Sequence, residues 1–445
     1  MSYMFSGCTA LTNLDLSNLN ASNVTNMSYM FSGCTALTNL DLSNLNASNV
    51  TNMSYMFSGC TALTNLDLSN LNASNVTDMS YMFYECNSLT NLDLTNFSAS
   101  NITKMQLMFY NCKKLESIDL ASFDTSNVTD MAGTFSYCSS LKEIDISNWN
   151  VNNVERIYIR YSGSDCGLFS YCTNLEKIKL AGFNNVKIKE YNYIFISCKS
   201  LKEIDLSKLD TSNVTNMTGA FTYCSSLVSL DLSNFNTANV VNMANMFYGC
   251  KALTSLDLSN FNTANVVNMA NMFNGCSSLT SLDLSNFNTV NVASMEMMFR
   301  NCAALTSLDL SNFNTANVTI LAYIFEGCTT LTSLDLSSFN TLKVEDMGMM
   351  FSGCSSLKDL NISSFNTDNV KDFSSMFTSC SSLEYLDITN FNFDNATKIC
   401  YGYGNYGIFG CCKSLKEIKL PKINNNIVTD LEKMFELCSS LKSID

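Results

Sequence analysis

The sequence predicts an α/β repeat fold, a solenoid with one continuous parallel β-sheet on one side and short helical segments on the opposite side. The first 26 residues, MSYMFSGCTALTNLDLSNLNASNVTN, return unchanged from Met27. They return again from Met53 with one change, Asp78. The apolar fraction is 46%, too high for a disordered chain. A repeat of this length is typical of a coil that grows along one axis.

The repeat extends over the whole chain, with the pattern M-x-x-M-F-x-x-C-x-x-L-x-x-L-D-L-S-N-F-N-T-x-N-V-T-N. Counting Met1 as position 1, new repeats begin at residues 27, 53, 79, 105, 131, 157, 191, 217, 243, 269, 295, 321, 347, 373, 399 and 431. We therefore expect a single solenoid over 1–445, made of sixteen full repeats and a partial one. The repeats at 157–190 and 399–430 are longer than the others.

Each repeat contains one predicted strand and one predicted helical segment. The alternation of apolar and polar residues around Asp15 predicts a short strand with Leu14 and Leu16 pointing inward. Positions 1, 4, 5 and 8 have the spacing of one helical face. Asn, Ser and Gly between these elements favour turns. The Asn column at position 23 is expected to bond the backbone of neighbouring repeats from an inward-facing place.

Position 5 is Phe and position 8 is Cys in every repeat, which predicts a structural core column. Neighbouring Cys Cα atoms would lie about 5 Å apart, within disulfide range. Parallel side chains have poor dihedral angles for bridging, however, so a reduced column is favoured over a disulfide or metal ladder. No metal or other cofactor is expected. Examples of this column are Phe5, Cys8, Phe247, Cys250, Phe299 and Cys302.

Position 15 predicts an outward ladder of carboxylates along the strand face. Its most regular stretch is Asp231, Asp257, Asp283, Asp309 and Asp335. Like charges about 5 Å apart repel, so hydrogen bonds from Ser or Thr, or bound cations, should offset the cost. A solvated face is the plain interpretation. Position 13 also points outward and changes along the chain, from Asn39 to Glu143, Lys177 and Tyr385.

The two longer repeats carry the candidate ligand-binding loops. Both gain residues before their position-5 Phe, in the segments IYIRYSGSDCGLF and ICYGYGNYGIF. Tyrosines among glycines are typical of binding loops, which singles out Tyr161, Tyr401, Tyr403 and Tyr406. The alternative is that the inserted residues merely accommodate a bulge.

Composition excludes several classes of function. A net charge of −14 disfavours nucleic acid and anionic membrane surfaces as partners. No apolar run is long enough for a bilayer span, so membrane insertion is not expected. The chain contains no His, which removes the commonest general base and transition-metal ligand. We expect no enzymatic activity.

The pattern L-x-x-L-x-L, followed by F-N-T-x-N-V-T-N-M-x-x-M-F-x-x-C-x-x-L, resembles the BspA-like leucine-rich repeat of bacterial surface proteins. The stretch LTSLDLSNFNTANVVNMANMFNGCSSL (253–279) carries all of it. The resemblance implies a leucine-rich-repeat-like solenoid, a location at the cell surface or in the secreted fraction, and no shared catalytic residues. It also implies adhesion to an extracellular protein or glycan of a host or neighbouring cell.

We therefore expect a non-catalytic leucine-rich-repeat protein that mediates adhesion or protein–protein interaction. The alternative is a structural spacer or an intracellular interaction scaffold. Neither end of the sequence has a distinct polar cap, so 1–445 is expected to be a fragment that lacks caps, leader and anchor. Uncapped ends would favour end-to-end self-association.

Overall fold

The protein is described by a computed structural model that covers residues 1–69, 71–94, 97, 99–180, 183, 187–399, 407–422 and 431–445. The chain forms two compact units, Met1–Phe235 and Asn236–Asp445. In each unit, successive repeats stack on one another through backbone hydrogen bonds between equivalent positions. The stacking gives each unit a core lined by the same inward side chains in every repeat.

Except for β4 and β5, which lie in the opening segment of the longer repeat 157–190, the strands lie at positions 13–15, where the sequence pattern places them. In the first unit they are β1 (Asn65–Asp67), β2 (Asn91–Asp93), β3 (Glu143–Asp145), β4 (Ile159–Tyr161), β5 (Ser164–Cys166) and β6 (Lys177–Lys179). In the second unit they are β7 (Ser333–Asp335), β8 (Asp359–Asn361), β9 (Tyr385–Asp387), β10 (Glu417–Lys419) and β11 (Ser443–Ile444). The central residue of most of these strands is buried between two exposed neighbours, because successive side chains point to opposite faces.

The prediction of one continuous sheet is wrong for the described residues. The strands pair in parallel as β1–β2, β3–β6, β7–β8 and β9–β10–β11, each a separate small sheet, and β4–β5 is an antiparallel hairpin. Between other described repeats no strand pair forms at positions 13–15. The hydrogen bond from Thr38 N to Thr12 O has lengthened to 3.4 Å, whereas that from Thr90 N to Thr64 O is 2.9 Å.

The predicted helical segments are also absent from the described residues, where positions 1–8 form overlapping turns. The Met30 N–H donates to Met27 O at 3.2 Å, and the Cys34 N–H donates to Phe31 O at 3.1 Å. Tyr29 and Gly33 have φ of 58° and 74°, which a right-handed helix does not allow. No helix that could cross a bilayer occurs in the part of the chain that the structure describes.

The turns direct the N–H groups that a helix would use internally toward the next repeat. The N–H groups of Tyr29, Phe31 and Gly33 donate to the carbonyls of Ser54, Met56 and Ser58, at 2.7 to 3.0 Å. In a turn with φ > 0 at its third residue, the N–H of the central peptide points out of the plane of the turn. It can therefore donate to a carbonyl of the next repeat. The spacing of positions 1, 4, 5 and 8 thus identifies the buried face but not its conformation.

A second ladder runs in the opposite direction at position 25. The Thr51 N–H donates back to Thr25 O at 2.9 Å, and in the second unit the Val267 N–H donates back to Val241 O at 2.9 Å. The Asn column supports this ladder, since Asn49 Nδ2 donates to the backbone carbonyl of Ser22 at 2.6 Å. The bonding agrees with the expectation for position 23, but Asn49 is exposed rather than inward.

Phe, Met, Leu, Val and Cys fill the core in layers. In the first unit the rings of Phe31 and Phe57 stack with centroids 5.6 Å apart and planes 6° from parallel. In the second unit the rings of Phe299 and Phe325 stack at 5.8 Å and 2°. Each ring therefore contacts the equivalent ring of the next repeat, so the repeats bury their apolar faces against each other.

Candidate functional site

The Cys column is a row of buried hydrogen-bond donors. All described cysteines are free thiols. Cys302 Sγ lies 3.2 Å from the backbone O of Phe273 in the preceding repeat, and the same contact recurs along both units. Burial raises the pKa of Cys60 to about 12 and that of Cys302 well above its usual range. The buried members of the column with raised pKa values, such as Cys60 and Cys302, are therefore protonated thiols that bond the backbone rather than thiolates.

Phe247, Cys250, Phe299 and Cys302 are fully buried in the second unit. The first repeat departs from the predicted column, because Phe5 is half-buried and Cys8 is exposed. Both residues contact the second repeat and have no repeat on their other side in the structure. In the described part of the chain, no three Cys, Asp or Glu side chains are grouped so that they could hold a metal ion.

The Asp ladder accepts hydrogen bonds within its own repeats. In Asp257, Asp283, Asp309 and Asp335 the carboxylate accepts the N–H of the Ser two residues later, at 2.9 Å in each case. Asp231 accepts the Ser233 N–H at the same distance. These bonds hold the pKa of Asp257 and Asp283 below its usual range. Local backbone donors therefore stabilise the charges along this face.

The strand face of repeats 105–216 has a different charge pattern. Lys142 pairs with Glu116 of the preceding repeat at 2.6 Å, and Lys179 pairs with Asp145 at 2.6 Å. Hydrogen bonds from Lys179 and Ser147 hold the pKa of Asp145 well below its usual range. This stretch presents alternating positive and negative groups, whereas the Asp ladder at 231–335 presents carboxylates among Ser and Thr.

The insertion at 157–190 is a β-hairpin rather than an open loop. β4 and β5 are joined by Ser162 and Gly163, whose φ values of 48° and 82° match a two-residue turn that follows strand twist. The Tyr158 hydroxyl donates to Asp165 Oδ1 at 2.7 Å across the hairpin. This side-chain hydrogen bond therefore stabilises the hairpin.

Tyr161 lies against other tyrosines of the first unit. Its ring centroid is 5.8 Å from those of Tyr81, Tyr84 and Tyr110. The candidate binding residue is thus half-buried in an intramolecular aromatic cluster. Tyr401, Tyr403 and Tyr406, the other candidates, lie outside the described residues.

The aromatic cluster continues as a ladder across the opening repeats. Tyr3, Tyr29, Tyr55 and Tyr81 all occupy position 3 and stack with centroids 4.3 to 4.5 Å apart and planes 6° to 8° from parallel. Tyr84 and Tyr110, both at position 6, form a second stack at 5.0 Å. We call this surface the tyrosine face; it consists of Tyr3, Tyr29, Tyr55, Tyr81, Tyr84 and Tyr110.

The tyrosine face is half-exposed and close to carboxylates. Partial burial raises the pKa of Tyr29, and Asp78 raises it further. Burial is also the main cause of the raised pKa of Tyr84, to which Glu85 adds. This face was not predicted from the sequence. The signal was the recurrence of Tyr at position 3, which becomes a surface only when the repeats are known to stack in register.

Comparisons with known proteins identify a family and several distant structural neighbours. The family model described as "Mycoplasma protein of unknown function, DUF285" matches residues 1–117, 85–165, 166–256, 220–333, 251–358, 293–409 and 319–444. No relative is found among curated proteins.

The structural neighbours include leucine-rich repeat proteins of bacteria. One from Bacteroides ovatus is 20% identical, with 82% of this chain and 88% of that chain covered and a TM-score of 0.45. A leucine rich cell surface protein from Faecalibacterium prausnitzii is 18% identical, with 92% and 83% covered and a TM-score of 0.32. One from Eubacterium ventriosum is 16% identical, with 94% and 92% covered and a TM-score of 0.32. Because the DUF285 family model matches nearly the full length of the chain, the chain belongs to the DUF285 family.

Proposed function

We propose that the chain is a non-catalytic, BspA-like leucine-rich-repeat protein, located at the cell surface or secreted, that mediates adhesion or protein–protein interaction. Its partner is an extracellular protein or glycan of a host or neighbouring cell. The supporting observation is that outward positions of the strand face change from repeat to repeat over inward columns that stay constant. Repeat proteins use such a variable surface on a fixed scaffold to distinguish partners.

The strand face of repeats 105–216 is the part best suited to selective binding. Lys142 and Lys179 are each held by a carboxylate of the preceding repeat, and Lys177 is exposed on β6 beside them. Alternating charges in fixed places favour one partner and repel others. The opening three repeats present the same Thr, Asn and Asp at positions 12, 13 and 15, and so offer no such variation.

A paired test addresses location and binding. Protease treatment of intact source cells, followed by mass spectrometry, should release peptides of residues 105–216 while cytosolic markers stay inside. Cells carrying Lys177→Glu should then adhere to host or neighbouring cells several-fold less than cells carrying Lys251→Glu. Lys251 is an exposed lysine away from the strands, so it controls for the charge change. Protection of the protein until the cells are lysed would contradict the proposal.

The second candidate is a structural spacer, favoured by the near-identity of the first three repeats. A spacer depends on the number of repeats rather than on any one side chain. Deleting residues 27–52, one full repeat, would then impair the protein in its native cell, whereas Lys177→Glu would leave it unaffected. The opposite pattern supports the binding function.

A further inference from the structure

We propose that the tyrosine face binds a cationic polypeptide segment, rich in Lys or Arg. This site lies on the turn side of the repeats and is distinct from the strand face of the proposed function. The stacked rings, the charge of the opening repeats and the hairpin that packs against them together favour such a ligand.

The stacking determines which part of each ring is available to a ligand. Both faces of Tyr29 and of Tyr55 are covered by neighbouring rings at 4.3 to 4.5 Å, yet both residues remain half-exposed. Their exposed parts are therefore ring edges and hydroxyl groups. A row of phenol oxygens accepts hydrogen bonds from ammonium and guanidinium groups. The aliphatic stems of Lys and Arg can lie along the apolar edges beneath.

Charge around the face favours a cation. Residues 1–103 contain six carboxylates and no Lys or Arg. Of these carboxylates, Asp78 and Glu85 lie close enough to Tyr29 and Tyr84 to raise their pKa. The first cation of the neighbouring repeats is Lys104, which lies beside Asp78, and farther along the chain Arg156 is paired with Asp130 at 3.0 Å. The opening repeats therefore carry a net negative charge, which attracts basic chains and repels acidic ones.

The face is also preorganised. The hydroxyl of Tyr81 accepts a hydrogen bond from Gln106 Nε2 at 2.9 Å. Tyr161 of the hairpin packs against Tyr81, Tyr84 and Tyr110 and so fixes the far end of the ladder. Rings that are ordered before binding lose little conformational freedom when a ligand arrives, which raises affinity.

The test uses the full chain with synthetic oligolysine and oligoarginine as probes, and oligoglutamate and a Gly-Ser peptide as comparisons. The basic peptides should bind and the other two should not. The double variant Asp78→Asn/Glu85→Gln should weaken binding about tenfold. Asp78→Asn keeps the acceptor for the Ser80 N–H and restores the residue that Asn26 and Asn52 provide in earlier repeats. The variant should therefore fold normally.

A matched control separates the site from general attraction to an acidic protein. Asp41→Asn/Asp67→Asn removes the same charge from the strand face of neighbouring repeats and should change affinity less than about twofold. Equal losses for the two double variants would overturn the proposal, as would binding of oligoglutamate or failure of both basic peptides to bind.

The phenol groups are tested separately. Tyr55→Phe keeps the ring stack and removes one acceptor, and we expect it to weaken binding of the basic peptides about threefold. Tyr385→Phe, on the strand face of the second unit, should leave binding unchanged. If Tyr55→Phe also has no effect, the hydroxyl row is not the site. Lys177→Glu, which tests the strand face, should not weaken binding of these peptides, so the two proposals can fail independently.

Discussion

Repeats 27–104 of the first unit and repeats 243–346 of the second follow the same backbone path with different residues at some buried positions, among them position 21. Position 21 is Ala in the former, as at Ala47 and Ala73, and Thr in the latter. The Thr289 hydroxyl donates to Asn314 O at 3.0 Å and accepts the Asn314 N–H at 2.7 Å. Alanine cannot form either bond. The path is therefore set by the shared apolar columns, and the Thr hydroxyl adds stability to a path that forms without it.

The outward positions beside this column differ in polarity. Positions 22 and 25 are Ser and Thr in repeats 27–104, as at Ser48 and Thr51. In the second unit they include Val241, Val267 and Val290, which are 42% to 44% exposed. The backbone bond at position 25 is the same in both regions, at 2.9 Å from Thr51 N to Thr25 O and from Val267 N to Val241 O. Valine lacks only the additional bond from the Thr51 hydroxyl to Thr25 O at 3.2 Å. The surface can therefore become more apolar while the backbone ladder between repeats is kept.

The largest expected difference between the two regions appears at high pH. Burial raises the pKa of the Cys thiols in both regions, to about 12 for Cys60, and it raises the pKa of Tyr29 and Tyr55 in the first region. The folded state retains protons that the unfolded chain releases. Stability is therefore complete below the ordinary Cys pKa of 9 and is lost as pH rises toward 12.

Repeats 27–104 carry the additional tyrosines, so they should open at lower pH than repeats 243–346. Hydrogen exchange followed by mass spectrometry at increasing pH, corrected for the intrinsic exchange rate, measures this difference. If the two regions open at the same pH, the Cys thiols alone determine the pH at which the repeats open.

Removing a core Phe ring should lower the free energy of unfolding by the same amount in the two regions. Phe57→Ala and Phe299→Ala each leave a cavity in an identical stack and should lower the free energy of unfolding by about 3–5 kcal/mol. Urea unfolding measures this loss. Phe57→Leu and Phe299→Leu remove the ring but leave a smaller cavity, so their free energy of unfolding should fall less. A clearly smaller cost for Phe57→Ala would indicate that the core of the opening repeats is looser than the shared sequence implies.

The buried Thr column should account for part of any stability difference. Thr289→Ala leaves the Asn314 N–H and carbonyl without that partner, at a cost of about 1–3 kcal/mol in the free energy of unfolding. Thr289→Ser keeps the hydroxyl and should cost less. The reverse change, Ala47→Thr, should raise the stability of the first region by about 1 kcal/mol. Loss of stability in Ala47→Thr would mean that the repeats there are too close for the added atoms.

The smallest change in stability is expected for substitutions in the exposed Asp ladder. Asp283→Asn keeps the oxygen that accepts the Ser285 N–H and should leave the urea midpoint unchanged. Asp67→Asn should do the same in the first region. Asp283→Ala removes the acceptor and should lower the midpoint slightly. A marked loss in Asp283→Asn would show that the negative charge itself, rather than the hydrogen bond, stabilises this face.

The sequence allowed the inward residues to be predicted better than the conformation of the chain that carries them. Leu40 and Leu42 are buried beside an exposed Asp41, because alternation specifies a strand directly. The spacing of Met27, Met30 and other residues of positions 1–8 is shared by a helix and by overlapping turns. Gly33 at a position with φ > 0 was the available signal for turns.

The candidate site was less accessible from sequence because it depends on contacts between distant residues. Ser162–Gly163 between alternating residues is a hairpin signal, yet nothing local indicates that Tyr161 reaches Tyr81 and Tyr110. The edge-on presentation of Tyr55 likewise follows from ring stacking between repeats. Such contacts are set by register, which one repeat considered alone does not specify.

The two hydrogen-bond ladders point in opposite directions, which limits the net dipole along each unit. On the turn side N–H groups point toward the following repeat, as from Phe31 to Met56, whereas at position 25 they point toward the preceding one, as from Thr51 to Thr25. The peptide dipoles of the two sides therefore partly cancel, unlike those of a long helix, which add. Inserting or removing a whole repeat adds only the small residual dipole, so unequal recombination can lengthen or shorten such an array at little electrostatic cost.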